Sequence, residues 1–108
     1  MKKYNVVITA SALKDMEDLY NYIAYELCSP NSAKKLYFKI ANAIKSLELF
    51  AERYRVFSIE NGYSTRRMLV DNYSVFYIIK DSSVIITSVL YSSRDLEDKL
   101  KNKDWWTE

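Results

Sequence analysis

The chain contains no histidine, one cysteine, one glycine and one proline in 108 residues. Each scarcity closes off a class of chemistry. Without histidine there is neither the usual proton shuttle near neutral pH nor the commonest metal ligand. A lone Cys28 can form no internal disulfide and no multi-cysteine zinc site. So few glycines and prolines argue against glycine-rich phosphate cradles and long loops. No run approaches the ~20 apolar residues of a membrane span, and Met1-Lys2-Lys3-Tyr4 opens no signal-peptide core. The expectation is a cytoplasmic protein with no membrane contact, no metal and no cofactor.

What is present reads as one globular domain spanning residues 1–108. Hydrophobic residues make up 49% of the chain and charged ones 28%, too apolar a balance for disorder. A net charge of +2 does not require a nucleic-acid partner. Any bond-making chemistry must then rest on arginine, lysine, tyrosine or carboxylates.

Local patterning predicts the order β-αα-βββ-α. Residues 4–9, with Val6, Val7 and Ile8, form a first strand. Ser11 is placed to cap a helix whose apolar stripe is Ala12, Met16, Leu19, Tyr20, Ile23 and Leu27. Its early carboxylates Asp15, Glu17 and Asp18 suit the positive end of the helix dipole. Ser29-Pro30 breaks and restarts the chain, serine capping and proline opening a second helix. That helix carries Ala33, Leu36, Tyr37, Ile40, Ile44, Leu47 and Phe50 on one face and Lys34, Lys35, Lys39 and Lys45 on another. The short connection implies an antiparallel helical hairpin.

Residues 53–63 are the least regular, with a short extended piece at 55–59. Strands follow at 65–70, 73–79 and 84–91, and Leu96 and Leu100 mark a short last helix capped by Ser92 or Ser93. The fold class is α+β, the hairpin packing on one face of a small, mainly antiparallel sheet.

Tight turns allow the strand register to be argued. With Asp71-Asn72 as a two-residue turn, Arg67, Leu69, Ser74, Phe76 and Ile78 share one face. Met68, Val70, Tyr73, Val75, Tyr77 and Ile79 share the other, more apolar face, which is assigned to the helices. A turn at Ser82-Ser83 puts Tyr91 beside Ser74, on the Arg67 side. The expected picture is a partly open face carrying Arg67, Phe76 and Tyr91, with Arg94 at its rim and Arg66 nearby. Two readings stay open. Rim arginines are commonly solvated or paired with a carboxylate such as Asp95 or Glu60. Two guanidiniums converging on one patch would instead suit a phosphate or carboxylate, with an aromatic ring for stacking.

Other features bear on partners. Tyr22 and Tyr25 turn away from the first helix's stripe and are candidates for a contact surface. Trp105 and Trp106 either fold back over core left open by the short last helix or anchor a partner or a second copy, tryptophan being common at interface hot spots. The lysine face of the second helix would suit an acidic partner. Cys28 is expected to pack as a small hydrophobe.

From Tyr4 to Leu100 the chain resembles the RelE/ParE superfamily, the small toxins of bacterial type II toxin–antitoxin modules. The resemblance rests on the element order and on Leu19-Tyr20-Asn21-Tyr22-Ile23 and Ser29-Pro30-Asn31-Ser32-Ala33. It rests further on Leu49-Phe50-Ala51-Glu52-Arg53-Tyr54 and Arg67-Met68-Leu69-Val70. Asn72-Tyr73-Ser74-Val75-Phe76-Tyr77 and Leu90-Tyr91-Ser92-Ser93-Arg94-Asp95 complete it.

The resemblance implies a toxin neutralised by a cognate antitoxin, with self-association of the free protein a further option. ParE-like members act on DNA gyrase; RelE-like members are ribosome-dependent mRNA endonucleases. In the nuclease arm Arg67 and Arg94 would be the catalytic cations, but an expected strand arginine falls on Ser74 and an expected late aromatic falls near Leu100. Losing one electrostatic donor at such a site costs roughly 10²–10³ in rate. The Tyr-Ser-Ser-Arg-Asp ending resembles ParE-like chains more. The target- or partner-binding candidates are Arg66, Phe76, Tyr91, Tyr22, Tyr25, Trp105 and Trp106. An mRNA endonuclease and a non-toxic interaction module remain the alternatives.

Overall fold

The structure, a computed structural model, describes residues 2–93 and 95–103. Strand β1 (Asn5–Ile8) leads into helix α1 (Ala10–Asn21), which widens into a π-helical turn over Tyr22–Glu26. Helix α2 (Pro30–Phe50) ends in a 3₁₀ turn, Ala51–Arg53. Strands β2 (Val56–Glu60), β3 (Tyr63–Val70), β4 (Tyr73–Lys80) and β5 (Ser83–Tyr91) follow, and α3 (Leu96–Lys101) is last. The sheet order is β1-β5-β4-β3-β2, with β1 parallel to β5 and every other pair antiparallel. The α+β class and the helical hairpin are as the sequence leads one to expect. No helix among the described residues is long and apolar enough to cross a membrane.

Three two-residue turns join β2 to β5, at Asn61-Gly62, Asp71-Asn72 and Asp81-Ser82. The first residue of each has positive φ (53°, 53° and 57°), a conformation Asn and Asp tolerate better than other non-glycine residues. The β3–β4 register agrees with expectation, Arg67 opposite Phe76 and Val70 opposite Tyr73. The β4–β5 register does not. Its turn lies one residue earlier, so Lys80 opposes Ser83, and a bulge at Thr87 shifts the pairing between Phe76 and Tyr77.

The bulge keeps β5 amphipathic in the correct sense: Val84 and Ile86 before it and Val89 after it all join the core under the helices. Met16, Leu19, Ile40, Ile44 and Leu47 meet Met68, Val70, Val75 and Tyr77 there. Tyr77 donates a hydrogen bond to the Ala51 carbonyl at 2.6 Å, closing the end of α2 onto the sheet.

Helix capping also differs from expectation. Thr9, not Ser11, caps α1, its Oγ1 accepting from the Ala12 amide at 3.1 Å and donating to the Ile86 carbonyl at 2.8 Å. One residue thereby starts the helix and fixes it to β5. At the far end the Leu27 amide bonds to the Tyr22 carbonyl at 3.1 Å, an i→i+5 bond. That wider turn rotates Leu27 out of the stripe, and it is 56% exposed. Cys28 takes φ 51° and is exposed, so it is not the packed hydrophobe expected.

Candidate functional site

The sheet face opposite the helical hairpin carries Arg67, as the hairpin register requires. Its guanidinium is committed to neighbours. Nε donates to Ser74 Oγ at 2.9 Å, Nη2 to Ser92 Oγ at 3.4 Å, and the two serine hydroxyls share a hydrogen bond of 2.7 Å. The group also lies 5.3 Å over the Phe57 ring. Ser74, which stands where the nuclease pattern wants an arginine, is the acceptor that holds Arg67 in place.

The expectation of an open face around Phe76 fails. Helix α3 lies across it, Leu96 and Leu100 packing on Phe76 with Phe57 and Leu90 at the edge, and Phe76 is fully buried. The apolar Leu96 and Leu100, one turn apart, need a sheet face to cover, and this is the face they cover. Phe76 is therefore interior and offers no ring for stacking. Arg66 points to the other side and is held there by backbone carbonyls, Nη1 donating to Tyr54 at 2.6 Å and to Glu52 at 3.3 Å. Its role in this fold is to tie β3 to the end of α2.

What remains accessible beside Arg67 is a groove of about 510 Å³ lined by Arg53, Tyr54, Arg55, Val56, Phe57 and Leu69 with Arg67 itself. Arg53 and Arg55 are exposed and were not singled out from sequence.

A larger cleft of about 740 Å³ opens between α1 with its π turn and the end of β4–β5. Leu19, Tyr22, Ile23, Tyr73, Val89 and Tyr91 form its apolar walls, with Asp15 and Asp18 along one side. Tyr91 was expected next to Arg67. The register places it opposite Tyr73 instead, the rings meeting edge-on at 5.6 Å, so it joins Tyr22 in this cleft. Tyr22 and Tyr91 are 53% and 54% exposed, large aromatic surfaces left to solvent on opposite lips. Tyr25 is 73% exposed and stands apart from the lining.

Asp15 anchors the cleft wall. Strand β1 pairs only as far as Ile86, and beyond it Asp15 Oδ2 accepts the Val89 amide at 2.9 Å. Oδ1 takes Lys103 Nζ at 2.6 Å, in a pair whose side chains are 12% and 18% exposed. Burial raises the Asp15 carboxyl above the usual aspartate value, and the Lys103 and Val89 hydrogen bonds offset only part of that rise. The sequence reading gave Asp15 only as a carboxylate suited to the helix dipole, not as this buried anchor. The calls on Arg94, Trp105 and Trp106 fall outside the described residues.

Comparison with known proteins follows the same lines. The model of the ParE toxin of type II toxin–antitoxin systems, parDE, matches residues 6–96. The chain belongs to the ParE toxin family. No curated protein sequence matches it. Among solved structures it is similar to a chain of the chromosomal ParDE toxin–antitoxin system from P. aeruginosa, with a TM-score of 0.68 at 17% identity. The match covers 84% of this chain and 98% of that one, and at such identity it speaks for the fold. The ParE match spans the residues that line the cleft and the arginine groove and reaches the start of α3.

Proposed function

We propose that this ParE-family chain acts by gripping a protein target, with DNA gyrase the target implied by its likeness, and that a cognate antitoxin neutralises it by occupying the cleft between α1 and β4–β5. The observation that carries this reading is the contrast between its two faces. On one, Arg67 is held against its own strands by Ser74, Ser92 and Phe57 while Phe76 is sealed under α3. On the other, an apolar cleft with two half-exposed tyrosines lies open. A concave apolar surface with a few polar groups suits a protein or peptide segment. The exposed carboxylate of Asp18 along its side favours an apolar segment flanked by a basic residue.

A second reading is an mRNA endonuclease, and one observation favours it. Arg53, Arg55 and Arg67 line the same groove with Tyr54 and Phe57, a cationic surface able to hold a polyanionic backbone. Against it stands the requirement that cleavage move protons to and from a ribose hydroxyl and a leaving oxygen, in a chain without histidine. The test is transient expression in a bacterial host, followed by transcript integrity and DNA damage. Growth arrest with intact transcripts and induced DNA breaks supports the first reading. Transcripts cut at ribosomes, with undamaged DNA, overturn it in favour of the second.

A further inference from the structure

The arginines of this chain are left uncompensated where the lysines are not. Among the described residues every salt bridge takes its cation from lysine: Lys3, Lys14, Lys39, Lys99 or Lys103. Arg66 and Arg67 spend N–H groups on carbonyls and hydroxyls of their own fold. The guanidiniums of Arg53 and Arg55 donate to no described residue, and both side chains are exposed. Each carries five N–H donors in a planar fork, the shape that matches a carboxylate.

These free donors are brought together. The Arg67 amide donates to the Arg55 carbonyl at 3.1 Å, which sets the two arginines side by side on adjacent segments. Arg53 lies over the Phe50 ring at 5.3 Å, as Arg67 lies over Phe57. A ring beneath a guanidinium restrains it and leaves its edge donors free. All three arginines line one groove of about 510 Å³, and no carboxylate lines it with them. The cleft beside α1, by contrast, is edged by the exposed Asp18. The two concave surfaces thus carry opposite charge.

The apolar part of the groove separates two kinds of anionic ligand. Val56 and Leu69 line it and are 49% and 60% exposed. A phosphate backbone offers nothing to cover them, and a net charge of +2 supplies no wider basic field to hold a nucleic acid. A peptide with aspartate or glutamate next to an aliphatic residue satisfies both the cations and the exposed aliphatics.

We infer that the groove is a second contact site for the neutralising partner, taking a segment in which carboxylates flank an aliphatic side chain. The inference rests on the antitoxin reading given above. Arg53 and Arg55 pair with the carboxylates, and Val56 and Leu69 pack on the aliphatic residue. Arg67 contributes charge from the wall while keeping its bonds to Ser74 and Ser92. The opposite signs of cleft and groove then fix which part of the partner enters which surface.

The test is calorimetric titration of the full chain with its cognate antitoxin at about 50 mM and about 0.5 M salt, in variants whose urea midpoints match the parent. Arg53→Ala with Arg55→Ala should weaken binding roughly tenfold at the lower salt and much less at the higher, where screening has already removed what the arginines add. Arg53→Lys with Arg55→Lys should restore part of the loss, and the Arg53 and Arg55 Nε–H resonances should shift when antitoxin is added. Equal affinity of parent and alanine variant at low salt would overturn the inference. The cleft is tested separately by Tyr22→Ser with Tyr91→Ser, whose effect should not depend on salt. A short single-stranded RNA bound by the parent and lost in the alanine variant, with antitoxin affinity unchanged, would assign the groove to nucleic acid instead. Absence of binding to the parent at either salt would remove the antitoxin reading, and this inference with it.

Discussion

Arg67 and Ser74 are joined by a 2.9 Å hydrogen bond across the β3–β4 hairpin, the arginine donating to the serine hydroxyl on the same face. Together with Ser92 the serine holds the guanidinium against its own strands. This predisposes the face to structural work.

Arg67→Ala should destabilise the fold by about 1–3 kcal/mol, through loss of a charged donor and its contact with the Phe57 ring. Arg53→Ala and Arg55→Ala, on exposed side chains, should stay within about 0.5 kcal/mol of the parent. Urea denaturation separates these cases. Growth inhibition should survive the Arg53→Ala, Arg55→Ala double variant; its abolition with the fold intact would make the arginine groove the working surface.

The cleft makes a different demand. Tyr22→Ser with Tyr91→Ser removes two half-exposed rings, including the edge-on contact of Tyr91 with Tyr73, worth about 0.5–1.5 kcal/mol. Binding of the cognate antitoxin, measured by calorimetry, should weaken at least tenfold. Unchanged affinity in a folded double variant would remove the cleft from the antitoxin interface.

Tyr77 and Ala51 give a prediction about stability in alkali. Tyr77→Phe leaves the Ala51 carbonyl without its buried partner and should cost about 1–2 kcal/mol near neutral pH. Burial holds the Tyr77 phenol well above its ordinary value. A raised folded-state value means stability that is complete below about pH 10, where the unfolded phenol titrates, and that declines as pH climbs. The parent should therefore lose stability more steeply than Tyr77→Phe above that pH. Parallel curves would contradict the assignment.

Asp15 behaves similarly at the acidic end. Its carboxyl is raised by burial, so its contribution is most favourable below about pH 4 and diminishes as pH rises through the folded-state value. The stability of Asp15→Asn relative to the parent should thus increase from pH 4 to pH 7. Lys103→Ala should enlarge that difference between parent and Asn variant, because it leaves the carboxylate buried without its cation. Thermal or urea midpoints across this range decide it.

Much of this architecture was legible because short turns constrain register. Asp71-Asn72 correctly placed Arg67 and Phe76 on one face and the apolar Met68, Val75 and Tyr77 under the helices. The next hairpin was misread, since Asp81-Ser82 and Ser82-Ser83 are both plausible two-residue turns and a bulge at Thr87 has no sequence signature. That error carried Tyr91 to the wrong face and hid the cleft. Asn61-Gly62, a strong hairpin signal, was passed over, so the extended piece at 55–59 was not paired with β3, nor Arg53 and Arg55 grouped beside Arg67. Burial of Phe76 depends on where α3 lands, and the sealing of Asp15 on a lysine 88 residues away; neither long-range contact is encoded in local spacing. The π turn that expelled Leu27 is likewise a tertiary outcome.

The most direct test uses purified toxin against two substrates in parallel: plasmid supercoiling by DNA gyrase, and a reporter mRNA on translating ribosomes. Supercoiling should fail as toxin approaches gyrase in molar amount, with the mRNA left whole. Cleaved mRNA beside fully active gyrase would contradict the account.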